Sequence, residues 1–332
     1  MSAEAVLKRV QTLAKPGIIL DRLGRFYAEM KPWLEGAEAA ARIPPDMTTY
    51  LRRDNPYLLD LTSRYDRLNL FRHSTWAKHE STIDLADFRG EVDYLAQLRY
   101  GGHKSKYLVS AAYADGVDDW GMLNSLKEDS LFGAITFRVL NDMVLSRDLI
   151  DSVLEIDFLR RGMGLTREGA TTGLDIGAGY GRFAHRFTAI FPNSYMFCID
   201  GVATSTFLCD AYIRFRGFGD RARSLPLDEV EQLRASKIDF AVNMHSWSEC
   251  PTTTIEYWLG LLADMNVRHL FIVPHEPSFL TMEVDGSRQT YLPVLERHGY
   301  RCTLGRKKFG TSRFLDKCGL FNAQYALFER KS

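Results

Sequence analysis

One ten-residue run constrains the fold of this 332-residue chain more than any other feature: Leu174-Asp175-Ile176-Gly177-Ala178-Gly179-Tyr180-Gly181-Arg182-Phe183. In it, an apolar segment ends in three alternate glycines, and a helical pattern begins directly after them. Glycine adopts backbone torsions that other residues avoid, and it lets the chain approach a ligand closely. The first N–H groups of a helix have no partner within the helix. The run therefore predicts a buried strand, a ligand-binding turn and a helix in succession.

The chain after Thr171 repeats this alternation of short apolar runs and helical segments. Strands are predicted at 173–177, 195–200, 221–225, 238–244, 269–275, 301–304 and 324–329. Helices are predicted between them at 182–191, 204–216, 228–233, 254–265 and 291–298. Elements in this order form βαβ units around a mainly parallel sheet, whose ligands bind at the carboxyl ends of the strands. We predict one such α/β domain over residues 166–332.

Residues 1–165 show a different pattern, in which helical apolar spacing is broken by turn signals. The first helical pattern lies within residues 1–16, and the longest extends from Leu131 to Arg161. We therefore predict a mainly helical N-terminal region that precedes the sheet domain.

Composition and charge narrow the classes of function. Lys plus Arg and Asp plus Glu number 42 each, so the net charge of zero predicts neither a nucleic-acid nor a membrane partner. No apolar run approaches the roughly 20 residues of a membrane span, and residues 1–16 lack the apolar core of a secretory signal. The five cysteines form no CxxC pair, which favours a reducing compartment. We therefore expect a cytoplasmic protein.

An acid stands at the end of the next predicted strand, nineteen residues after Gly181. This residue, Asp200, is suited to accept hydrogen bonds from the two hydroxyls of a ribose. Three interpretations of the loop are open at this point: a tight turn without a ligand, a dinucleotide site, and a site for another nucleoside cofactor. A dinucleotide loop carries its third glycine where this chain has Arg182, which disfavours the second interpretation.

The pattern D-x-G-x-G-x-G resembles the first motif of the class I S-adenosylmethionine-dependent methyltransferases. The two closing strands likewise resemble the hairpin that ends the seven-stranded, Rossmann-like sheet of that family. The resemblance implies that S-adenosylmethionine is the cofactor and S-adenosylhomocysteine the product. It also implies cofactor contacts along the loop, at the ribose, near the adenine and on the fourth strand: Asp175, Gly177, Ala178, Gly179, Tyr180, Gly181, Asp200, Gly201, Leu225, Asp228 and Asn243.

A second resemblance lies at the end of the fourth predicted strand, in the segment Asn243-Met244-His245-Ser246-Trp247-Ser248-Glu249-Cys250. Its first, fourth and seventh residues match a segment of a sugar O-methyltransferase group, with Cys250 where that group often has Met. Glu128 and Gly133 echo the same group more loosely. The resemblance implies methyl transfer to a hydroxyl of a sugar or glycosylated metabolite, with the N-terminal region covering the site and selecting the acceptor.

Methyl transfer to a hydroxyl requires a base for the departing proton. His245 is the leading candidate, because the pKa of histidine lies near neutral pH, and Glu249 would orient it or act as the base itself. The alternative is structural, with Glu249 as a charge at the start of a helix and His245 as a packed loop residue. A Mg²⁺ site built from these two residues, Asp239 and the pair His275-Glu276 is a further alternative. The acids are scattered along the sequence, so we predict no metal.

For residues that could contact the acceptor, the sequence leaves a structural role open as well. Aromatic residues of the N-terminal region either stack on the acceptor or belong to the core: Tyr94, Tyr100, Tyr107 and Trp120. The acidic pairs at 118–119 and 128–129 either bind acceptor hydroxyls or form a solvated surface. The basic stretch 301–317 contacts an anionic acceptor, forms a solvated hairpin or makes a subunit contact.

The predicted function is an S-adenosylmethionine-dependent O-methyltransferase that acts on a small hydroxylated acceptor. A methyltransferase acting on a phenol, amine or peptide is the first alternative, and a cofactor-binding module without catalysis is the second. A nicotinamide-dependent oxidoreductase is disfavoured by Arg182 and by the closing strands. The expected partner is a small molecule, and the sequence leaves a homo-oligomer open.

Overall fold

The computed structural model describes residues 43–68, 80–90, 104–139, 143–311 and 320–331. These residues form two compact units. The small unit contains residues 43–48, 86–90, 104–139, 143–154 and 320–321, and the sheet unit contains residues 49–68, 80–85, 155–311 and 322–331. The predicted domain boundary near residue 165 stays a prediction, and part of the N-terminal half groups with the sheet.

The helices, in chain order, are α1 (Pro45–Tyr50), α2 (Pro56–Tyr65), α3 (Lys104–Val117), α4 (Met122–Ser125), α5 (Arg147–Met163), α6 (Arg182–Ile190), α7 (Ala203–Phe215), α8 (Thr252–Asp264) and α9 (Leu292–Arg297). The strands are β1 (Thr136–Val139), β2 (Met143–Ser146), β3 (Thr172–Ile176), β4 (Tyr195–Ile199), β5 (Ala222–Ser224), β6 (Phe240–Met244), β7 (His269–Val273), β8 (Tyr300–Lys307) and β9 (Gln324–Arg330). Short 3₁₀ helices include Leu131–Gly133, Leu227–Ala235 and Ser246–Glu249. Every strand and helix predicted after Thr171 is present within a few residues, with the helix expected at 228–233 present as a 3₁₀ helix.

The sheet unit contains a seven-stranded sheet with the order β5-β4-β3-β6-β7-β9-β8. Strand β3 pairs in parallel with β4 and β6, and the β4–β5 and β6–β7 pairs are parallel too. Strand β9 is antiparallel to both of its neighbours, β7 and β8. This order confirms the predicted fold class, a seven-stranded Rossmann-like sheet closed by an antiparallel hairpin. The order of strands reverses between β3 and β6, and doubly wound sheets bind ligands at such a switch point.

The central strands are buried on both faces, which is why they read in the sequence as continuous apolar runs. Residues 240–242 of β6 and 270–273 of β7 are buried. Helix α6 is amphipathic and buries Phe183 and Phe187. The ring of Phe187 packs against that of Phe240 with centroids 5.2 Å apart. This packing holds the strands whose ends carry the candidate site.

The helix predicted from Leu131 to Arg161 is wrong in its first half. A 3₁₀ turn at Leu131–Gly133 precedes the antiparallel hairpin β1–β2, and α5 begins only at Arg147. Two residues of the turn have φ values of 59° and 75°, which are incompatible with a right-handed helix. In the sequence, Asn141-Asp142 separates two β-branched apolar runs, and this hairpin signal outweighs the helical period.

Glu128, predicted either to bind an acceptor or to face solvent, is buried in the small unit. Its side chain is 2% exposed and pairs at 2.8 Å with the guanidinium of Arg89, which is fully buried. Asp129 contacts the same guanidinium at 3.3 Å. A buried charge needs such a partner, so the pair contradicts a solvated surface at Glu128.

The other predictions for the N-terminal half and the basic stretch have mixed outcomes. Tyr107 is a core residue of the small unit, and its ring stacks on that of Phe137 with centroids 5.7 Å apart. Trp120 is half-buried, and much of the basic stretch forms the exposed strand β8. Several residues lie outside the described ranges: 1–16, Tyr94, Tyr100, Arg313 and Lys317. Within those ranges, every helix is too short or too polar to cross a membrane.

Candidate active site

The glycine-rich loop between β3 and α6 lies at the carboxyl edge of the sheet and has left-handed torsions. Gly177, Gly179 and Gly181 have φ values of +75°, +56° and +83°. The loop crosses the end of β4, because the N–H groups of Gly177 and Ala178 donate to the carbonyl of Ile199 at 2.8 and 3.1 Å. The torsions of the turn therefore require the alternate glycines.

Two of these glycines also leave no room for a side chain. A Cβ at Gly177 would lie 2.1 Å from Oγ of Ser246. A Cβ at Gly181 would lie 2.9 Å from Sγ of Cys209. The loop thus touches the segment after β6 on one side and α7 on the other, which brings the two motifs singled out in the sequence into contact.

Asp200, directly after β4, is joined to the loop by its side chain. One carboxylate oxygen accepts a hydrogen bond from the N–H of Gly179, and the other accepts from the N–H of Val202, each at 2.9 Å. Gly201, between Asp200 and Val202, is partly exposed. Two backbone donors therefore hold the carboxylate in one orientation at the position predicted for a ribose.

Asp175, in β3, is only 3% exposed. Burial raises the pKa of its carboxyl to about 7; the charge of Arg182 opposes this shift, and the charges of Glu155 and Asp200 add to it. Arg182 is held by Glu155 in a two-pronged pair, with N–O distances of 2.7 and 3.1 Å. Asp175 is therefore partly protonated near pH 7 rather than fully charged, and its contact with a cofactor stays a prediction.

The remaining residues predicted to contact the cofactor beside β3, β4 and β5 lie within the glycine-rich loop or follow β5. Tyr180 is 1% exposed, and its ring packs edge-on against Tyr212 with centroids 5.0 Å apart, so its side chain belongs to the core. Leu225 is buried, and its N–H donates to a carbonyl of β4 at 2.9 Å. The carboxylate of Asp228 pairs with Arg64 at 2.7 Å and is 31% exposed. Because β3, β4 and β5 are neighbours, the residues after them form one row along the edge of the sheet.

Asn243, in β6, links the loop to the following turn. Its amide nitrogen donates to the carbonyl of Ile176 at 2.8 Å and to Oγ of Ser246 at 2.6 Å. Its amide oxygen accepts from the N–H of Trp247 at 3.1 Å. Asn243 is 1% exposed, so the structure gives it a supporting role, and its direct contact with a cofactor stays a prediction.

His245, directly after β6, has a strained backbone. Its φ and ψ are 69° and −35°, a conformation that costs a residue with a Cβ on the order of 1–3 kcal/mol. Its N–H donates to the carbonyl of Val273 at 2.7 Å, and its carbonyl accepts from the N–H of Ser248 at 2.9 Å. Strained residues held in this way cluster at functional sites, where they fix a side chain in one place.

This turn places His245 beside His275, in the loop after β7. The centroids of the two imidazole rings are 5.1 Å apart, and the ring planes differ by 31°. Nε2 of His275 lies 3.4 Å from Oε1 of Glu249, and the N–H of His275 donates to Oγ of Ser248 at 3.1 Å. The structure therefore joins the predicted pair, His245 and Glu249, through a third side chain that the sequence suggested only as a metal ligand.

The protonation state of His275 follows from its surroundings. Burial lowers its pKa below the usual value for histidine, Arg288 lowers it further, and Glu276 opposes the shift. The imidazole is therefore mainly neutral at pH 7, with its Nε2 3.4 Å from the Glu249 carboxylate. The cluster can take up a proton on an imidazole nitrogen, and the Glu249 carboxylate stabilises the cation that results.

The register between two strands explains why His275 was missed as a partner. Met244 of β6 pairs with Val273 of β7, so His245 and His275 follow neighbouring strand ends. The only signal in the sequence is that each histidine follows an apolar run, at the edge where such sheets bind ligands. Which strands are neighbours, and in what register, depends on the folded sheet.

Asp239, one of the predicted Mg²⁺ ligands, lies at the opposite edge of the sheet from the histidines. It precedes β6, and its carboxylate accepts from the N–H of Thr172 at 2.9 Å. His245 follows the far end of the same strand, so the two cannot share an ion. No group of three or more His, Cys, Asp or Glu side chains within the described ranges is arranged to hold a metal.

Comparisons with known proteins find distant similarity in structure only. No protein-family model and no curated protein matches the chain. The mitomycin 7-O-methyltransferase MmcR is 13% identical, with a TM-score of 0.41, over 86% of this chain and 75% of its own. The magnesium protoporphyrin IX methyltransferase ChlM from Synechocystis PCC 6803, with bound SAH, is 14% identical, with a TM-score of 0.40, over 68% of this chain and 99% of its own. The [4+2]-cyclase SpnF is 14% identical, with a TM-score of 0.41, over 56% of this chain and 83% of its own.

Similarity at this level does not assign an activity, because one fold hosts many functions. The fold class therefore rests on the strand order, and the function rests on the geometry of the site.

Proposed function

We propose that this protein is an S-adenosylmethionine-dependent methyltransferase that methylates a hydroxyl group of a small acceptor. The observation that carries the proposal is the contact between the two halves of the site, at Gly177 and Ser246. Through it, the glycine loop and Asp200 lie next to the turn that carries His245. Transfer of a group between two ligands requires that their sites be adjacent and fixed in orientation.

The residues around the glycine loop suit S-adenosylmethionine. The glycines leave the loop backbone without side chains, so a ligand can approach it closely, and the N–H of Gly179 orients the Asp200 carboxylate, which can accept from hydroxyl groups. By the family resemblance, the loop 175–181 would hold the methionine part, Asp200 and Gly201 the ribose, and the stretch from Leu225 to Asp228 the adenine. When bound, S-adenosylmethionine supplies an electrophilic methyl group.

The histidine cluster supplies the base that such a reaction needs. A hydroxyl oxygen that bonds to a methyl carbon must lose its proton, and in this proposal the proton passes to an imidazole nitrogen of His245. His275 lies against that ring, and the carboxylate of Glu249 lies 3.4 Å from His275, so a positive charge on the cluster is stabilised. A positioned base of this kind contributes roughly 10²–10⁴-fold to a rate.

The proposed acceptor is a sugar or a glycosylated metabolite, on the resemblance of residues 243–250 to sugar O-methyltransferases. Phenols, amines and peptides are the competing acceptors. A panel of these compounds with a labelled methyl donor would separate them, and label incorporated into an amine alone would contradict the sugar proposal. The cytoplasmic location and a homo-oligomeric state stay predictions.

The first test is calorimetric titration with S-adenosylhomocysteine of the wild type and Asp200→Ala. We expect micromolar or tighter binding that weakens at least tenfold in the variant, a loss of about 1.4 kcal/mol. Asp220→Ala is the matched control, because the Asp220 side chain is 77% exposed. Binding of NADH in place of S-adenosylhomocysteine by the folded wild type would contradict the proposal, and titrations with and without Mg²⁺ test a metal requirement.

A further inference from the structure

A helix far upstream in the sequence belongs to the sheet unit. It packs beside the residues that are predicted to hold the ribose and the adenine of the cofactor. Helix α2 begins with Pro56 after the capping residue Asn55, and its buried residues Leu58, Leu61 and Tyr65 lie on one face. Just before it, the ring of Tyr50 stacks on Phe207 of α7 with centroids 5.2 Å apart. Residues 49–65 thus form part of the wall beside β4 and β5.

Tyr65, at the end of α2, connects three elements through one hydroxyl group. Its oxygen accepts a hydrogen bond from the N–H of Leu227 at 2.8 Å and lies 2.8 Å from Oγ1 of Thr206 in α7. Burial raises the pKa of Tyr65, and the negative charges of Asp200 and Asp228 raise it further. The hydroxyl therefore lies within electrostatic range of both acids and holds the backbone where the 3₁₀ helix Leu227–Ala235 begins.

Arg64 holds the side chain of Asp228 across 164 positions of sequence. Its Nε donates to one carboxylate oxygen at 2.8 Å, and its Nη2 donates to the other at 2.7 Å. Nη2 also donates to Glu229 at 2.8 Å. A guanidinium bound at both oxygens fixes the plane of a carboxylate, which a single contact does not do.

The order of the strands indicates which part of a nucleoside would lie near Asp228. The ends of β3, β4 and β5 carry the glycine loop, Asp200 and residues 225–228 in that order, at a spacing of about 4.8 Å per strand. A ligand with its ribose at Asp200 and its reactive end toward β6 places its base toward β5. The base then lies beside the carboxylate that Arg64 orients.

We infer that Arg64 and Tyr65 are positioning residues for recognition of the adenine amino group, Arg64 through the carboxylate of Asp228 and Tyr65 through the backbone at Leu227. The inference rests on the proposed function, because it takes the nucleoside of S-adenosylmethionine as the ligand. A carboxylate oxygen that accepts one bond from Arg64 has a second lone pair, so it can accept from an exocyclic amine as well. Adenine offers that amine, whereas hypoxanthine offers a carbonyl oxygen, which a carboxylate repels.

The test compares the affinities of S-adenosylhomocysteine and S-inosylhomocysteine by calorimetry on the full chain. We expect the wild type to prefer the adenine compound by at least tenfold. Arg64→Ala and Arg64→Lys should both bring the ratio within threefold of unity, because lysine keeps the charge but cannot bind both oxygens. Tyr65→Phe, which removes one hydroxyl, should lower the ratio by a smaller factor. Arg52→Ala is the control, since Arg52 pairs with Asp54 instead and both side chains are largely exposed.

The outcomes separate the inference from the proposed function. Failure of the folded wild type to bind S-adenosylhomocysteine overturns both. Binding with full preference for adenine in Arg64→Lys and Tyr65→Phe overturns the inference alone, even if thermal unfolding shows that the variants are less stable. Arg64→Ala in an Asp228→Asn background should change the ratio no further, and an additive effect of the two substitutions would also contradict the inference.

Discussion

The two halves of the candidate site share one edge of one sheet, yet they are built from different parts of the chain. The proposed cofactor half, after β3 and β4, consists mainly of backbone, with left-handed glycines and an acid oriented by two N–H groups. The proposed reacting half, after β6 and β7, consists of side chains: His245, His275 and Glu249. A short motif can therefore specify a ligand cradle, whereas a proton-transfer cluster depends on which strands are neighbours.

Backbone strain differs between the halves in the same way. Positive φ angles cost glycine little, and the loop uses glycine at each such position. His245 has a φ of 69° with a full side chain, so that turn is strained, and in the proposed site it positions the imidazole ring. A glycine at position 245 relieves this strain and removes the ring, so we expect it to lower only the turnover rate. Strain introduced into the glycine-rich loop should instead weaken cofactor binding and lower the stability of the fold.

The largest expected effect is that of His245→Gly on turnover. Loss of the base should lower the rate by roughly 10²–10⁴-fold, while glycine accepts the positive φ without strain. We expect the affinity for S-adenosylhomocysteine to stay within twofold and the free energy of unfolding to stay equal or rise. Asn266→Gly is the control. Asn266 also has a positive φ of 55°, but it lies before the first residue of β7, at the end of the strand away from His275. A parallel loss of cofactor affinity would contradict the division into two halves.

Gly177→Ala should have the next largest effect, now on stability and on cofactor binding. Left-handed strain of roughly 1–2 kcal/mol adds to overpacking of roughly 1–3 kcal/mol against Ser246. Gly217→Ala is a matched control, since Gly217 has the same φ of +75° but a Cβ there would meet nothing within 4 Å. Urea denaturation should show a loss of about 1–2 kcal/mol for the control and about 2–5 kcal/mol for Gly177→Ala. Equal losses would show that the contact with Ser246 does not matter.

Asp175→Asn should remove one contribution to the pH dependence of the free energy of unfolding, which comes from the proposed cofactor half. The folded pKa of Asp175 is about 7, above the usual range of an aspartate, so the folded protein binds more protons than the unfolded chain between these values. Its contribution to stability is full below pH about 4 and is lost as the pH rises to about 7, by at most about 1.4 kcal/mol per pH unit. The asparagine variant should lack this component when unfolding is measured across that range. Identical pH profiles for wild type and variant would contradict the raised pKa.

The smallest expected effect is that of His275 on the pH dependence of stability. Its sign is opposite to that of Asp175. Its folded pKa is lowered, so the unfolded chain binds more protons, and stability should decrease as the pH falls from about 6.5 toward the folded value. The side chain is 40% exposed, so solvent screening should keep the change below about 1 kcal/mol. His275→Gln should abolish this acid-side decrease in thermal unfolding experiments. A variant that is destabilised equally at pH 5 and pH 8 would indicate a packing role alone.

The sequence predicted the sheet domain well because its signals are local. The apolar runs of β3, β6 and β7 are buried on both faces, and the glycines of the loop occupy torsions that only glycine adopts readily. The prediction failed at residues 131–146, where a helical period concealed a hairpin. That error shows the limit of periodicity, since short apolar runs fit either a helix or a strand until turn signals decide.

The sequence by itself determined the strand–loop–helix cradle, the acid that follows the next strand and the closing hairpin, because each is encoded in residues close together in the chain. Only the tertiary structure decided which distant residues meet. It joined His275 to His245 through the register of β6 and β7, separated Asp239 from both, and brought Arg64 to Asp228. The physical reason is that a torsional preference belongs to one residue, whereas a contact between distant residues exists only after the burial of apolar surface has chosen the packing that brings them together.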